Sequence, residues 1–213
     1  MPEAEQGDVM VMNEVQRIVL AGGPASGKSS VLKRLKQLRK EMDVNILYID
    51  EVATAFLRDQ PAIVGDRDDR VLRQYYILRT QMFIEEMLIQ NIDNRKPTVL
   101  ITDRGALDAY VYLTEEELLG FSGEHLERLY RRYDHIIYLE GCIENYLRDH
   151  ETKRLEADRT ALYETERKAY DVWHKCKSFS YIEQQDTIDH KVELVVNDIH
   201  HFLNRRVYCC NDM

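Results

Sequence analysis

The chain has 213 residues, a length that suggests one domain, or one domain with an insertion, large enough to bury a core without cross-links. Its apolar share of 44% and charged share of 31% are those of an ordinary soluble globule. The formal charge of −9 argues against broad nucleic-acid binding, which needs an electropositive face, yet leaves room for a local basic pocket. Cys142, Cys176, Cys209 and Cys210 lack C-x-x-C spacing, so neither a disulfide framework nor a zinc site is expected. His174 and Cys176, two apart on a helical stretch, point to different faces and make a poor metal pair.

Residues 1–14 read as a flexible leader: they are acidic and lack the long apolar core of a secretory signal. Nowhere do about 18 apolar residues run together, so no span is expected and a cytoplasmic location follows. From residue 15 onward, strand-length apolar runs alternate with helix-period segments. That pattern predicts an α/β fold with a parallel sheet of about five strands in three layers, carried by residues 15–204 and followed by a short tail, 205–213.

The first strand is expected over Ile18–Ala21, followed by a helix from Lys28 to about Lys40 with Val31, Leu32, Leu35 and Leu38 on one face. A second strand covers Asn45–Ile49, with a short helix over Val52–Arg58 behind it. A long helix is predicted over Arg70–Asn94, with Leu72, Tyr76, Arg79 and Phe83 along one stripe and Leu78, Met82 and Ile89 along the next. The third strand spans Thr98–Thr102, and Thr114 with Glu117 forms a capping box that opens a short helix at Glu115. Strands over His135–Leu139 and Phe179–Ile182 and helices over Ala157–Lys175 and Lys191–Asn204 complete the series. The tyrosines at Tyr75-Tyr76 and Tyr130–Tyr133 read as core, with a homodimer seam as the alternative.

The first strand runs into G-x-x-x-x-G-K-[ST], here Gly22, Gly23, Pro24, Ala25, Ser26, Gly27, Lys28 and Ser29, with Ser30 behind. A loop that wraps its amides around phosphate needs glycine dihedrals, close approach and a helix starting at the anion. The flanking strand and helix supply the context in which this motif binds a nucleoside triphosphate, with Lys28 on the β- and γ-phosphates and the Ser29 hydroxyl on Mg²⁺.

The second strand ends in Asp50-Glu51, on the rim where parallel sheets hold ligands. Either carboxylate is placed to act as a general base; the alternative is that Asp50 caps the next helix and Glu51 sits in its first turn. The third strand ends in Asp103-Arg104-Gly105. An apolar strand ending in Asp beside the phosphate-loop strand is the arrangement that holds Mg²⁺, and Arg104 can fork onto phosphate oxygens; the alternative is a plain turn. Asp108 and Tyr110 follow, Asp108 toward the same cleft and Tyr110 toward the core. Arg148, Lys153, Arg154 and Arg159 interleave with Asp149, Glu151, Glu156 and Asp158, which by charge alone reads as a solvated face rather than a phosphate-covering lid.

Over about Val15 to Leu203 the sequence resembles the P-loop family that groups the ribosylnicotinamide kinase domain of NadR with related animal and protist AAA-like ATPase proteins. It is more distantly similar to thymidylate and deoxynucleoside kinases. The carriers are IVLAGGPASGKSS, the Glu of IDEVATAFL, the Gln81 region, ITDRGALDAYVYL, HIIYLE and RLEADRTALYETERKAYDVW. The resemblance implies a helical lid, with Arg154 as its arginine. It implies Gly27, Lys28 and Ser29 on phosphate and Mg²⁺, Glu51 facing the acceptor, and Asp103 with Arg104 at the reacting phosphates. This chain departs from the pattern in an acid-rich lid segment, and the residues after Glu51 give no recognisable pocket for nicotinamide or a particular base. A NadR-type adenylyltransferase domain has no room in 213 residues.

The leading functional expectation is therefore a Mg²⁺-dependent small-molecule kinase moving the γ-phosphate of ATP to a nucleoside-like hydroxyl. The alternative is an ATP- or GTP-dependent switch, or slow NTPase, acting through a protein or lipid partner. The guanine-selecting N-K-x-D box is absent, so ATP or GTP stays open. The end of the chain, Cys210-Asn211-Asp212-Met213, is formally C-a-a-X, but neither middle residue is aliphatic and lipidation is not expected.

Overall fold

The computed structural model describes residues 15–38, 44–54, 67–92, 97–142 and 159–209. In chain order these form β1 (Gln16–Ala21), α1 (Lys28–Leu38), β2 (Asn45–Ile49), α2 (Arg67–Gln90) and β3 (Thr98–Asp103). A 3₁₀ turn (Ala106–Asp108) leads into α3 (Ala109–Tyr112), α4 (Glu115–Ser122) and α5 (Leu126–Tyr130). After them come β4 (His135–Leu139), α6 (Arg159–Trp173), β5 (Phe179–Ile182) and α7 (Ile188–Cys209).

The strands form one sheet in the order β2-β3-β1-β4-β5, every neighbouring pair parallel. Register sets Leu20 against Asp103 on one side of β1 and Leu20 against Ile137 on the other. The chain travels one way from β1 to β2 and the other way to β4. The C-terminal end of β1 is thus the place where open parallel sheets leave a crevice.

Strand alternation sends Ile18 and Leu20 to one face and Val19 and Ala21 to the other, and both faces are covered. On the first face, Val31, Leu32 and Leu35 of α1 and Val192, Val195 and Ile199 of α7 pack against Ile46, Ile101, Ile137 and Leu139. Each fully buried aliphatic side chain contributes roughly 1.5–3 kcal/mol by leaving water. The opposite face takes Val71 and Leu78 of α2, Leu107, Val111, Leu118, Leu129 and Trp173. Thr114 accepts from the Glu117 amide at 3.2 Å while Glu117 accepts from the Thr114 amide at 2.9 Å, so the expected capping box opens α4, and Gly123 ends it in the left-handed region.

The strands sit where expected, β1 beginning two residues earlier and β3 ending one later. The long helix needs a correction. It runs over Arg67–Gln90 instead of Arg70–Asn94. Of the two expected stripes Leu78, Met82 and Ile89 do pack inward, whereas Tyr76 and Phe83 face solvent, 42% and 64% exposed. Val71, Gln81 and Glu85 are buried. Periodicity ranks apolar residues inward, but here polar side chains with partners take the inner positions. Tyr133 is buried as core, whereas Tyr76 is a surface residue. Helix α7 runs to Cys209, past the expected end at Asn204. Among the described residues no helix is long and apolar enough to cross a membrane.

Candidate nucleotide site

β1 stops at Ala21 because the next residue leaves strand geometry. Gly22 has φ +139°, and a Cβ there would lie 2.3 Å from the Leu139 carbonyl oxygen. Gly27 (φ +83°) makes the second reversal, and α1 begins at once with Lys28. Between them Ala25 is also held at positive φ, 55°, a conformation an L-residue keeps only when its surroundings impose it. Among the described residues, no backbone amide from Gly23 to Gly27 donates to another element of the fold. Orphan amides at a helix start are what an anion completes.

Lys28 is buried, and its ammonium donates to the carbonyls of Gly22 (2.8 Å) and Gly23 (2.7 Å) and to Ser26 Oγ (2.7 Å). Burial first, and then the charge of Arg104, lower its pKa from 10.5 to about 8. Ser29 Oγ donates to Asp103 Oδ2 at 2.6 Å, joining the loop to the end of β3. The other Asp103 oxygen, Oδ1, is buried with no hydrogen-bond partner. Burial raises the Asp103 carboxyl above its ordinary value, opposed by Lys28 and by the Ser29 hydroxyl. A hydroxyl and a buried carboxylate with a free oxygen form a donor set suited to a hard divalent cation that keeps waters and phosphate oxygens. The residues present therefore fit Mg²⁺ with a polyphosphate.

Beside this pair, Arg104 sits at φ 69°, in the left-handed region, directly after the strand. Its Nε donates to Glu51 Oε1, and its Nη1 lies 3.6 Å from Asp108 Oδ1. Glu51 also accepts from the Thr54 hydroxyl. Burial alone would lower the Arg104 pKa, but Asp108 and Glu51 beside it more than reverse that. Asp108 is itself held, accepting from the Gly105 amide at 2.9 Å and from Trp173 Nε1 at 3.4 Å. Asp50, by contrast, turns to solvent and pairs with Lys36 at 2.5 Å, so of the two rim carboxylates only Glu51 points inward. Tyr110 packs at the edge of the core, and burial pushes its hydroxyl up to about 12. Arg148, Lys153 and Arg154, and with them the expected lid, lie outside the described residues.

Three polar side chains are not marked in the sequence, and two of them, Lys191 and Glu166, reach the loop. Lys191 on α7 donates to the Ser26 carbonyl (3.2 Å), the Glu140 carbonyl (3.1 Å) and Gln184 Oε1 (3.1 Å), bracing the loop from beneath. Its signal was a lysine in phase with the apolar Val195 and Ile199. Glu166 on α6 reaches across to the loop. Its Oε1 accepts from Tyr138 Oη (3.0 Å) and the Gly141 amide (3.2 Å), and its buried Oε2 lies where a Gly23 side chain would be. Nothing in helical period marks that position. Arg73 on α2 is buried with Nη1 unpaired, and was hidden by the same misread helix face. Glu166 also lines a cavity of about 660 Å³ together with Tyr138, Gly141, Tyr163, Tyr170 and Gln184.

A family profile described as an AAA domain matches residues 17–184, which holds the loop, both rim carboxylates and the Asp103-Arg104 pair. The chain belongs to the AAA domain family. No curated protein matches this AAA-domain chain. Among solved structures it is similar to shikimate kinase from Acinetobacter baumannii in complex with shikimate, with 16% identity and a TM-score of 0.52 over 89% of this chain and 96% of that one. At that identity the likeness shows the fold, a five-stranded parallel sheet flanked by helices of the P-loop kinase kind.

Proposed function

We propose that this chain is a Mg²⁺-dependent small-molecule kinase that transfers the γ-phosphoryl group of ATP, or GTP, to a nucleoside-like hydroxyl. The observation that carries the reading is the 2.6 Å bond from Ser29 to Asp103 with Asp103 Oδ1 left over, facing a loop with unused amides. Gly22, Gly23, Pro24, Ala25, Ser26, Gly27 and Ser30 shape the phosphate cradle. Lys28 moves its ammonium from the loop carbonyls to the β- and γ-phosphate oxygens. Ser29 and Asp103 hold Mg²⁺, which neutralises polyphosphate charge when bound.

Arg104 begins on Glu51 and Asp108. When phosphate enters, its fork turns to the γ-phosphate oxygens, and Glu51 is released to accept the acceptor's hydroxyl proton. The acceptor oxygen forms its bond to the γ-phosphorus, the bond to the β–γ bridging oxygen breaks, and the nucleoside diphosphate leaves with that electron pair. Arg154 in the lid segment supplies further positive charge to the transferring group. The tyrosine-lined cavity beside the loop has the volume of a nucleotide-base subsite, and stacking on tyrosine accepts either purine. In support, the structurally similar shikimate kinase is a kinase of this fold with the small molecule shikimate bound.

Steady-state turnover of ATP and GTP against a panel of nucleosides tests the reading. Acceptor-dependent acceleration that Glu51→Gln removes is expected. Hydrolysis indifferent to every acceptor and to Glu51→Gln would replace the kinase by a nucleotide-dependent switch. One observation favours that second reading: Glu51 is already engaged, by Arg104 and Thr54 among others, as suits a latch that nucleotide opens.

A further inference from the structure

At the opposite end of the strands from the phosphate loop lies a second cavity, of about 330 Å³, lined by Arg17, Met82, Arg128, Leu129, Arg131 and Arg132. Arg17 stands near the start of β1, and Gly22 follows it by five residues of extended chain, so the cavity is about 16 Å from the phosphate loop. The other arginines come from α5 and the turn that leads into β4, and Met82 comes from α2.

Four guanidinium groups around one small space need counter-charges, and the carboxylates present are shared. Glu86 serves both Arg17 (3.6 Å) and Arg132 (3.0 Å). Glu85 takes Arg132 Nε at 2.6 Å and is also engaged by Gln81 and Tyr133. Glu124 pairs with Arg128 at 3.3 Å and with Arg79 at 3.7 Å. Asp134 turns one oxygen to the Arg17 backbone amide, at 2.9 Å. Among the described residues Arg131 has no carboxylate partner. Arg131 thereby leaves a local positive charge at this cavity in a chain whose net charge is −9.

We infer that this cavity is an anion site for a phosphate monoester, remote from the nucleotide loop. Arg131 and Arg128, on the exposed lip, make the charge-assisted contacts to the phosphate oxygens. Arg17 and Arg132, held by Glu86 and Glu85, form the back wall of the cavity. Met82 and Leu129 give an apolar wall for the ester's organic part. The volume lies at the low end of small-ligand pockets, roughly 300–1,000 Å³, so a phosphorylated metabolite or a single headgroup fits and a polyanionic strand does not.

The test is calorimetric titration of the full chain with inorganic phosphate and with a sugar phosphate, repeated on Arg128→Gln/Arg131→Gln and on Lys28→Ala. Both replaced arginines lie at the exposed lip, so folding is kept, and circular dichroism checks it. Binding that persists in Lys28→Ala and weakens roughly ten- to a hundredfold in the double variant is expected, the loss of charged hydrogen bonds. Flotation with phosphatidylcholine vesicles, with and without a phosphoinositide, separates the two sources of the ester. Double-variant-sensitive binding to the free phosphates assigns a soluble ligand, and such binding to vesicles alone assigns a headgroup. Binding that vanishes with Lys28→Ala, or isotherms and flotation untouched by the double variant, would overturn the site.

Discussion

The two faces of the sheet are built in different ways. Under α1 and α7 the buried cluster is wholly aliphatic, with polar groups only at its margins: Lys191 at the loop, and His135 with Asp198 (2.6 Å) at the far edge. Under α2 to α6 the core adds Tyr133, Tyr138 and Trp173 to its aliphatic side chains and is threaded by hydrogen bonds. Glu85, fully buried, takes Arg132 and Gln81 and accepts from the Tyr133 hydroxyl (3.0 Å), which accepts from the Ala106 amide at 2.5 Å. One residue earlier, the Gly105 amide reaches Asp108, and Asp108 faces Arg104. The dry face holds the loop in place by packing that any aliphatic set of the right volume provides. The wired face carries orientation to the rim that holds Asp103 and Arg104, and each of its bonds leaves a costly orphan when broken.

That contrast makes predictions of graded size. Glu85→Ala strands Arg132 and Tyr133 in the interior and should cost about 3–5 kcal/mol of stability, read from the urea midpoint. A loss no larger than that of a surface substitution would show the wiring to be incidental. Leu32→Ala on the dry face should cost about 2–3 kcal/mol while nucleotide affinity stays within a factor of about two. If affinity collapses along with stability, the dry face is not merely a scaffold. Asp108→Asn keeps the Gly105 contact but removes the charge facing Arg104. It should cost about 1 kcal/mol of stability and slow acceptor-dependent turnover more than it raises the KM for nucleotide. Equal effects on both would place Arg104 in ground-state binding.

Titration sharpens the same contrast at the rim. Burial and Arg104 lower the Lys28 pKa to about 8, against 10.5 for an ordinary lysine. Between those values the unfolded chain holds a proton that the folded chain lacks. This group therefore makes the stability of the folded chain rise with pH across that window. Nucleotide needs the charged ammonium, so affinity should fall roughly tenfold from pH 7 to pH 9 with proton uptake on binding, and Lys28→Arg should flatten the slope. A flat wild-type profile would mean that Lys28 stays charged despite its burial.

The dry face was legible in the sequence because its logic is local. Continuous apolar strands, a G-x-x-x-x-G-K-S loop and an amphipathic α1 each follow from residue type and spacing, and strand bounds at Asn45–Ile49, His135–Leu139 and Phe179–Ile182 agree with the structure. Asp103 and Arg104 were legible for the same reason, since a strand end beside the loop has few other uses for them. The wired face was not legible, because Gln81 and Glu85 are buried only by virtue of Tyr133 and Arg132, about fifty residues away. Glu166 and Lys191 reach the loop through the same kind of long-range contact. Asp50 and Glu51, adjacent and alike in sequence, are separated by which way the backbone turns after β2.

The central claim is that the loop after β1 grips a triphosphate with its free amides and Lys28. Calorimetric titration of Mg²⁺·ATP and Mg²⁺·GTP into the wild-type chain and Lys28→Ala tests it most directly. Removing a buried charge from a polyphosphate contact should weaken binding by roughly 3–5 kcal/mol, about a hundredfold to a few thousandfold, with the fold intact by circular dichroism. Undiminished affinity in Lys28→Ala would contradict the account.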